Sequence, residues 1–248
     1  MSLYSDILQR RTIRKYSSRK VDDKLLYSLL EAAGRTQTMG NLQLYSVIVT
    51  RDIEKKKELA KAHYGQPMVE GAPVMLTICA DFNRTTQWCN NRNALPGYDN
   101  LLSLANAASD ALLYTQTISL LSEENGLGVC YLGTVLYQPE LIIEALKLPK
   151  LVMPVAVLTV GWPAETPNQS DRLPLESFVH SEIYHNYTPQ DIDKYYTPKE
   201  TLPENINFVQ INNCETLAQV YAEKRYTKAD NIALSENLQK VLLQQGFM

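Results

Sequence analysis

The stretch Gly126-Leu127-Gly128-Val129-Cys130-Tyr131-Leu132-Gly133 decides between two ways of building a mixed helix and sheet protein. Its glycines superficially resemble the turn of dinucleotide-binding folds, where they leave a strand and open a helix so that phosphate rests on the helix N-terminus. Here the order is reversed. A long helical pattern precedes the glycines and a strand-like run follows them. They are therefore expected to end a helix and to permit a tight backbone approach, and the Rossmann reading is set aside.

Upstream, Leu101, Leu102, Leu104, Ala105, Ala107, Ala108, Ala111, Leu112, Leu113, Ile118, Leu120 and Leu121 surround most of a helix axis over residues 100–125, the pattern of a helix buried centrally or between subunits. Downstream, residues 139–146 read as a short helix opened by Pro139, and residues 152–161 as a strand. Val74-Met75-Leu76-Thr77-Ile78-Cys79-Ala80 is a second nearly continuous apolar run, so the sheet is expected to carry helices on both faces. Residues 44–50 read as another strand, and residues 52–63 as a charged surface helix. Between these, Gly65-Gln66-Pro67 marks a turn able to bring the Gln66 amide to a ligand edge.

Toward the start, Leu3, Ile7 and Leu8 suggest an opening helix. Asp22 caps a helix with a stripe of Leu25, Leu26, Leu29, Leu30 and Ala33, closed by Gly34. Residues 35–43 form a polar loop, suited either to a ligand or to a plain connection. Between the two helices, Arg10-Arg11-Thr12-Ile13-Arg14-Lys15-Tyr16 gathers four cations and a hydroxyl within six positions. If extended, it places Arg10, Thr12 and Arg14 on one side and Arg11 and Ile13 on the other. Guanidinium forks suit phosphate, although a solvated basic run has the same composition. Arg172, in Asp171-Arg172-Leu173-Pro174 beyond the last strand, is a second cation that is either liganding or solvated. Residues 198–213 are polar and turn-rich, and residues 217–225 and 232–243 read as amphipathic helices packing on this chain or on a partner.

Composition narrows the classes of function. The 248 residues are enough for one large or two small domains, and 24 Lys+Arg against 27 Asp+Glu give no global field for nucleic acid. The longest apolar stretch, residues 151–162, is broken by Pro154 and Gly161 and is too short to span a bilayer. With no hydrophobic leader after the basic start, a cytoplasmic address is expected. Cys79, Cys89, Cys130 and Cys214 form no paired motif, and Cys79 and Cys130 are expected to be buried core thiols. Together with His63, His180 and His185 they make no zinc pattern, so metal catalysis is not expected.

Taken together, the Arg10 to Arg14 run, the loop from Thr38 to Gln43, Ala80-Asp81-Phe82-Asn83-Arg84, Gly126-Leu127-Gly128, Tyr131-Leu132-Gly133 and Gly161-Trp162-Pro163-Ala164 with Arg172-Leu173-Pro174 resemble the FMN-dependent nitroreductase family, particularly its oxygen-insensitive NADPH-preferring branch. The order and spacing of these pieces carry the likeness, over roughly residues 6–185. The resemblance implies an α+β, three-layer fold with a mainly antiparallel sheet between helices. It also implies an entwined homodimer with FMN at the subunit interface and the helix of residues 100–125 in the dimer core. Residues 1–200 would form the FMN-binding domain and residues 201–248 a helical tail on the core or the partner subunit.

Carried over by position, the resemblance assigns the cofactor to Arg10, Arg11, Thr12, Arg14, Thr38, Asn41, Gln43, Gln66, Tyr131, Leu132, Gly133, Thr134, Ser170 and Arg172. Arg10 and Arg172 would hold the FMN phosphate with help from the Thr12 hydroxyl, and Arg14 would support negative charge on the reduced ring. Gln66 would supply the ring-edge amide. No side chain is expected to act as nucleophile or general base. Thr12 stands where serine is common, Leu44 where many members have proline, and Ser170 where close relatives carry a basic residue. Lys224 and Arg225 are candidates for the nicotinamide cofactor by charge alone, which leaves NADH and NADPH open. The expected activity is a two-step transfer of hydride from NAD(P)H through FMN to a nitroaromatic, quinone or flavin acceptor. Dehalogenating or flavin-fragmenting chemistry on the same fold, or a non-catalytic nucleotide binder, are the alternatives.

Overall fold

The computed structural model describes residues 3–248 and divides them into two compact units: the chain up to residue 169 together with residues 236–248, and residues 170–235. In the first unit, helices α1 (Leu3–Gln9), α2 (Asp23–Ala33), α3 (Ile53–Ala60), α4 (Pro67–Gly71), α5 (Asn83–Asn90), α6 (Leu101–Glu124) and α7 (Pro139–Leu146) alternate with strands β1 (Tyr45–Thr50), β2 (Val74–Asp81), β3 (Gly128–Tyr131) and β4 (Val152–Gly161). The sheet order is β1-β2-β4-β3, and every neighbouring pair is antiparallel. Helices cover both faces, as the unbroken burial of β2 and β4 requires.

Side chains alternate between two cores. Leu76, Ile78, Ala80, Val129 and Leu158 pack with α2 and α6, whereas Met75, Cys130 and Val157 pack with α3, α4 and α7. This is the period of a strand buried on both sides. Pro154 has no N–H to give the ladder, and the register slips beside it: Ile78 faces Ala156 and Cys79 faces Pro154, which leaves Val155 as the extra residue of a bulge.

The helix starts follow their caps. The Asp22 carboxylate accepts from Lys24 N at 2.8 Å, and Asp52 does the same for Lys55 N at 2.8 Å. Helix α6 is not buried all round. One side packs on the sheet through Leu104, Ala107, Ala111 and Ile118, while Leu101, Leu102, Leu112 and Leu113 face outward, Leu102 at 70% exposure. Among the described residues, no helix is long and apolar enough to cross a membrane.

The second unit contains α8 (Pro189–Glu200), α9 (Pro203–Ile211), α10 (Leu217–Gln219) and a π-helical turn over Val220–Arg225, and α11 (Lys228–Gln245) begins in it. The expectation of a turn-rich stretch over residues 198–213 is corrected here. Pro198 lies inside α8 near its end and Pro203 occupies the first turn of α9, where its missing N–H costs nothing. By packing, the second unit runs from residue 170 to residue 235. The end of α11 and the residues after it join the first unit, with Val241, Leu242 and Phe247 buried in its larger core.

Candidate functional site

The arginine segment is extended but belongs to no strand. Ile13 N–H donates to Val129 O of β3 at 3.0 Å, and Ala164 N–H donates to Lys15 O at 3.0 Å. The Tyr16 phenol reaches Ile13 O at 2.8 Å and Thr159 Oγ1 at 2.7 Å, and burial pushes its pKa well above the usual range. Gly128 makes the docking possible, because a Cβ there would stand 2.6 Å from the Cβ of Ile13. Gly126 ends α6 with φ of 78°. Both expectations for these glycines hold.

Alternation of the segment's side chains is only partly realised. Ile13 is buried, while Arg11, with which it was expected to share a side, is exposed. Arg10 Nε lies 3.2 Å from Glu123 Oε1 at the end of α6, off the axis of a good hydrogen bond. Burial raises the Glu123 pKa to about 7 against the pull of Arg10. Glu165 accepts from the backbone N–H groups of Arg14 at 2.8 Å and Lys15 at 3.0 Å, the first of which chiefly lowers its pKa. Neither Arg11 nor Arg14 has an ion-pair partner among the described residues. Both Arg14 and Arg10 lie close enough to Cys130 to oppose the rise in its thiol pKa caused by burial.

Beyond Cys130 the chain presents Tyr131, exposed at the end of β3, and then turns. Leu132 is buried, so its side chain faces the core, and its N–H donates to Val157 O at 2.9 Å. Gly133 is exposed and Thr134 half-buried. Thr134 Oγ1 lies 2.7 Å from His63 Nδ1 and 3.4 Å from Gln66 Nε2. Thus Arg10, Arg14, Tyr131, Gly133, Thr134 and Gln66 gather along one edge of the sheet.

The loop from Thr38 to Gln43 is held elsewhere. The buried Asp110 of α6 accepts from Met39 N at 2.8 Å and from Leu44 N at 3.1 Å. Arg84 bonds Tyr45 O at 3.2 Å and also Gln43 O. The Gln43 amide reaches back to Asn41 Oδ1 at 2.6 Å, with both residues at positive φ (47° and 56°). The run of α6 between Asp110 and Glu123 puts this loop and the Arg10 ion pair about 20 Å apart along the helix axis.

Ser170 and Arg172 lie in the second unit, where Arg172 Nη1 bonds Asp171 O at 2.8 Å and Lys199 pairs with the Asp171 carboxylate at 2.8 Å. Arg225 sits over the rings of Phe208, Tyr221 and Tyr226, 5.4, 6.0 and 5.8 Å from their centroids.

A nitroreductase family model matches residues 7–162, more than half the chain. The chain belongs to the nitroreductase family. A protein of this family from Bacillus subtilis (strain 168), named FMN reductase (NAD(P)H), is 34% identical over 182 residues, 73% of each chain. The oxygen-insensitive NADPH nitroreductase of Salmonella typhimurium is 33% identical over 174 residues, 70% of this chain and 71% of its own. A Bacteroides fragilis NCTC 9343 protein of known structure is 56% identical, with a TM-score of 0.97 over 98% of this chain and 99% of that one. The family match ends before Ser170 and Arg172.

Sequence reasoning did not identify Asp110, Glu123, Glu165 or His63 as residues of this region. Asp110 carries a visible signal, being a carboxylate in the middle of an apolar helix. The others announce themselves only through contacts far apart in the chain, such as the 71 residues between His63 and Thr134.

Proposed function

We propose that the chain is a homodimeric FMN-dependent oxidoreductase that draws reducing equivalents from NAD(P)H and hands them to a nitroaromatic, quinone or flavin acceptor. The observation that carries this reading is the docking of Ile13 on Val129, which sets the arginine segment beside the Tyr131 to Thr134 turn and Gln66. The donor set suits a phosphorylated, acceptor-rich ring system: the Arg11 and Arg14 guanidinium groups, free of ion pairs among the described residues, a hydroxyl, an amide, and a glycine where a Cβ would push the segment away. The names of the relatives point the same way.

When bound, FMN would supply the redox chemistry. The protein's part is positional and electrostatic. Arg10 and Thr12 would bind the phosphate, with Arg11 alongside, and Arg14 would supply positive charge to the ring. Glu165 ties down the backbone of Arg14 and leaves its guanidinium free. Gln66, Tyr131, Leu132, Gly133 and Thr134 line the ring, Leu132 through its backbone. The flavin-binding part of the chain ends near residue 200.

Thr38, Asn41 and Gln43 lie about 20 Å along α6 from Glu123 in the same chain, too far to complete that site. The partner subunit's loop would complete it in a two-fold dimer, for which the outward Leu102, Leu112 and Leu113 of α6 are the proposed contact. The test is anaerobic stopped-flow with NADPH and with NADH on the FMN-loaded protein, where rapid loss of flavin absorbance is expected. A flavin that stays oxidised with both removes the reductase reading. Light scattering of Leu112→Glu is expected to show a monomer with lost FMN affinity, and a dimer of unchanged affinity removes the shared site.

A further inference from the structure

His63 occupies the single turn between α3 and α4, and its ring is fully buried. Its Nδ1 meets Thr134 Oγ1 at 2.7 Å, while its Nε2 is enclosed with no hydrogen-bond partner. Burial keeps the imidazole neutral, lowering its pKa to about 4, so it carries one ring proton. On Nε2 that proton would make an orphaned buried N–H, whereas on Nδ1 it serves Thr134 and leaves only an idle lone pair. Nδ1–H is therefore the donor. The Gln66 amide donates to the same oxygen at 3.4 Å. A hydroxyl has two lone pairs and one proton. With both lone pairs engaged from within, the proton of the half-exposed Thr134 hydroxyl is left to point outward.

We propose that His63 is a positioning residue that makes the Thr134 hydroxyl an obligate hydrogen-bond donor to the ring system bound beside Gln66, so that this wall of the site selects an acceptor atom, a ring nitrogen or carbonyl oxygen of the flavin. The inference rests on the flavin reading and deepens it.

In apo-protein with isotope-labelled histidine, long-range proton–nitrogen correlation reads which nitrogen of His63 carries the proton. Nδ1–H is expected, and Nε2–H overturns the inference whatever the protein binds. Fluorescence quenching of FMN then compares the parent with Thr134→Val, Thr134→Ser and His63→Ala. Loss of one hydrogen bond is expected to raise the Kd of Thr134→Val about fivefold to tenfold and to shift the visible flavin bands, with both restored in Thr134→Ser. His63→Ala is expected to move the spectrum the same way by a smaller amount. If that variant fails to fold, the Thr134 pair still decides. Parent affinity and an unchanged spectrum in Thr134→Val overturn the inference and leave the flavin reading standing. A parent that binds no FMN overturns the flavin reading, and the ligand half of the inference falls with it.

Discussion

The arginine segment and the loop from Thr38 to Leu44 are both irregular, polar and furnished with ligand-type side chains, yet they are held in opposite ways. The first is held chiefly by main-chain partners, with Ile13 N–H on Val129 O, Ser17 N–H on Trp162 O at 2.9 Å and Lys15 O accepting from Ala164, and the Glu165 carboxylate adds to these by accepting from Arg14 and Lys15 N–H. The second meets the sheet only at its last residue, where Asp81 N–H of β2 donates to Leu44 O at 2.9 Å, and is otherwise held by charged side chains from other elements, Asp110 and Arg84. A segment fixed through its main chain can leave side chains at liberty, as it does the Arg11 and Arg14 guanidinium groups, which have no ion-pair partner among the described residues. A loop fixed by remote carboxylate and guanidinium groups has its backbone shape specified, including the positive φ at Asn41 and Gln43, and fails as a whole when the fixing group goes.

That contrast can be broken most forcefully at Asp110. Asp110→Ala orphans two backbone N–H groups, and we expect a loss of about 4 kcal/mol in urea unfolding, with FMN binding abolished. A loss under about 1 kcal/mol would show that the loop holds itself.

Next comes the pH dependence of Glu123, which anchors Arg10. Its pKa is raised from 4.5 to about 7, so the folded chain keeps a proton that the unfolded chain releases in that window. Its stabilising contribution is full below about pH 4.5 and is lost as the pH climbs through about 7. The parent is expected to lose about 3 kcal/mol relative to Glu123→Gln between about pH 4 and pH 8. Parallel urea profiles for the two proteins across that range would refute it.

Gly128→Ala tests the backbone docking itself. The new methyl would meet Cβ, Cγ1 and Cγ2 of Ile13 at 2.6 to 2.7 Å, none of which is the far end of a flexible chain. A cost of about 2 kcal/mol in thermal or urea unfolding is expected, with weaker FMN affinity as the segment lifts. Glu165→Gln should have the smallest effect, since that carboxylate is exposed. Its pKa is lowered in the folded chain, so its contribution is present at neutral pH and lost on acidification. The difference in Tm between Glu165→Gln and the parent should therefore shrink as the pH falls below the ordinary carboxylate range.

Much of the architecture could be read in advance because it is local. The Asp22 cap, the Leu26 and Leu29 stripe, the Pro139 helix and the β4 run are written in neighbouring residues. The glycines at 126 and 128 were readable because order along the chain separates a helix-to-strand turn from a nucleotide loop. Helix α9 was hidden because its composition is that of a turn-rich stretch, although Pro203 in its first turn is itself a helix start. At the site, residue types could be named from the sequence. Their grouping could not, because Arg10 with Glu123, Leu44 with Asp110 and Thr134 with His63 are pairs made by packing alone.

The return of the chain after α11 bears on how the protein is made. Phe247 fills the larger core, and the Gln245 amide bonds Pro149 O and Val152 O at 3.2 and 2.8 Å. During synthesis, the sheet and its helices leave the ribosome well before these residues do, and the whole second unit is translated in between. The first unit must therefore wait, with part of its core uncovered, until Phe247 has cleared the exit tunnel.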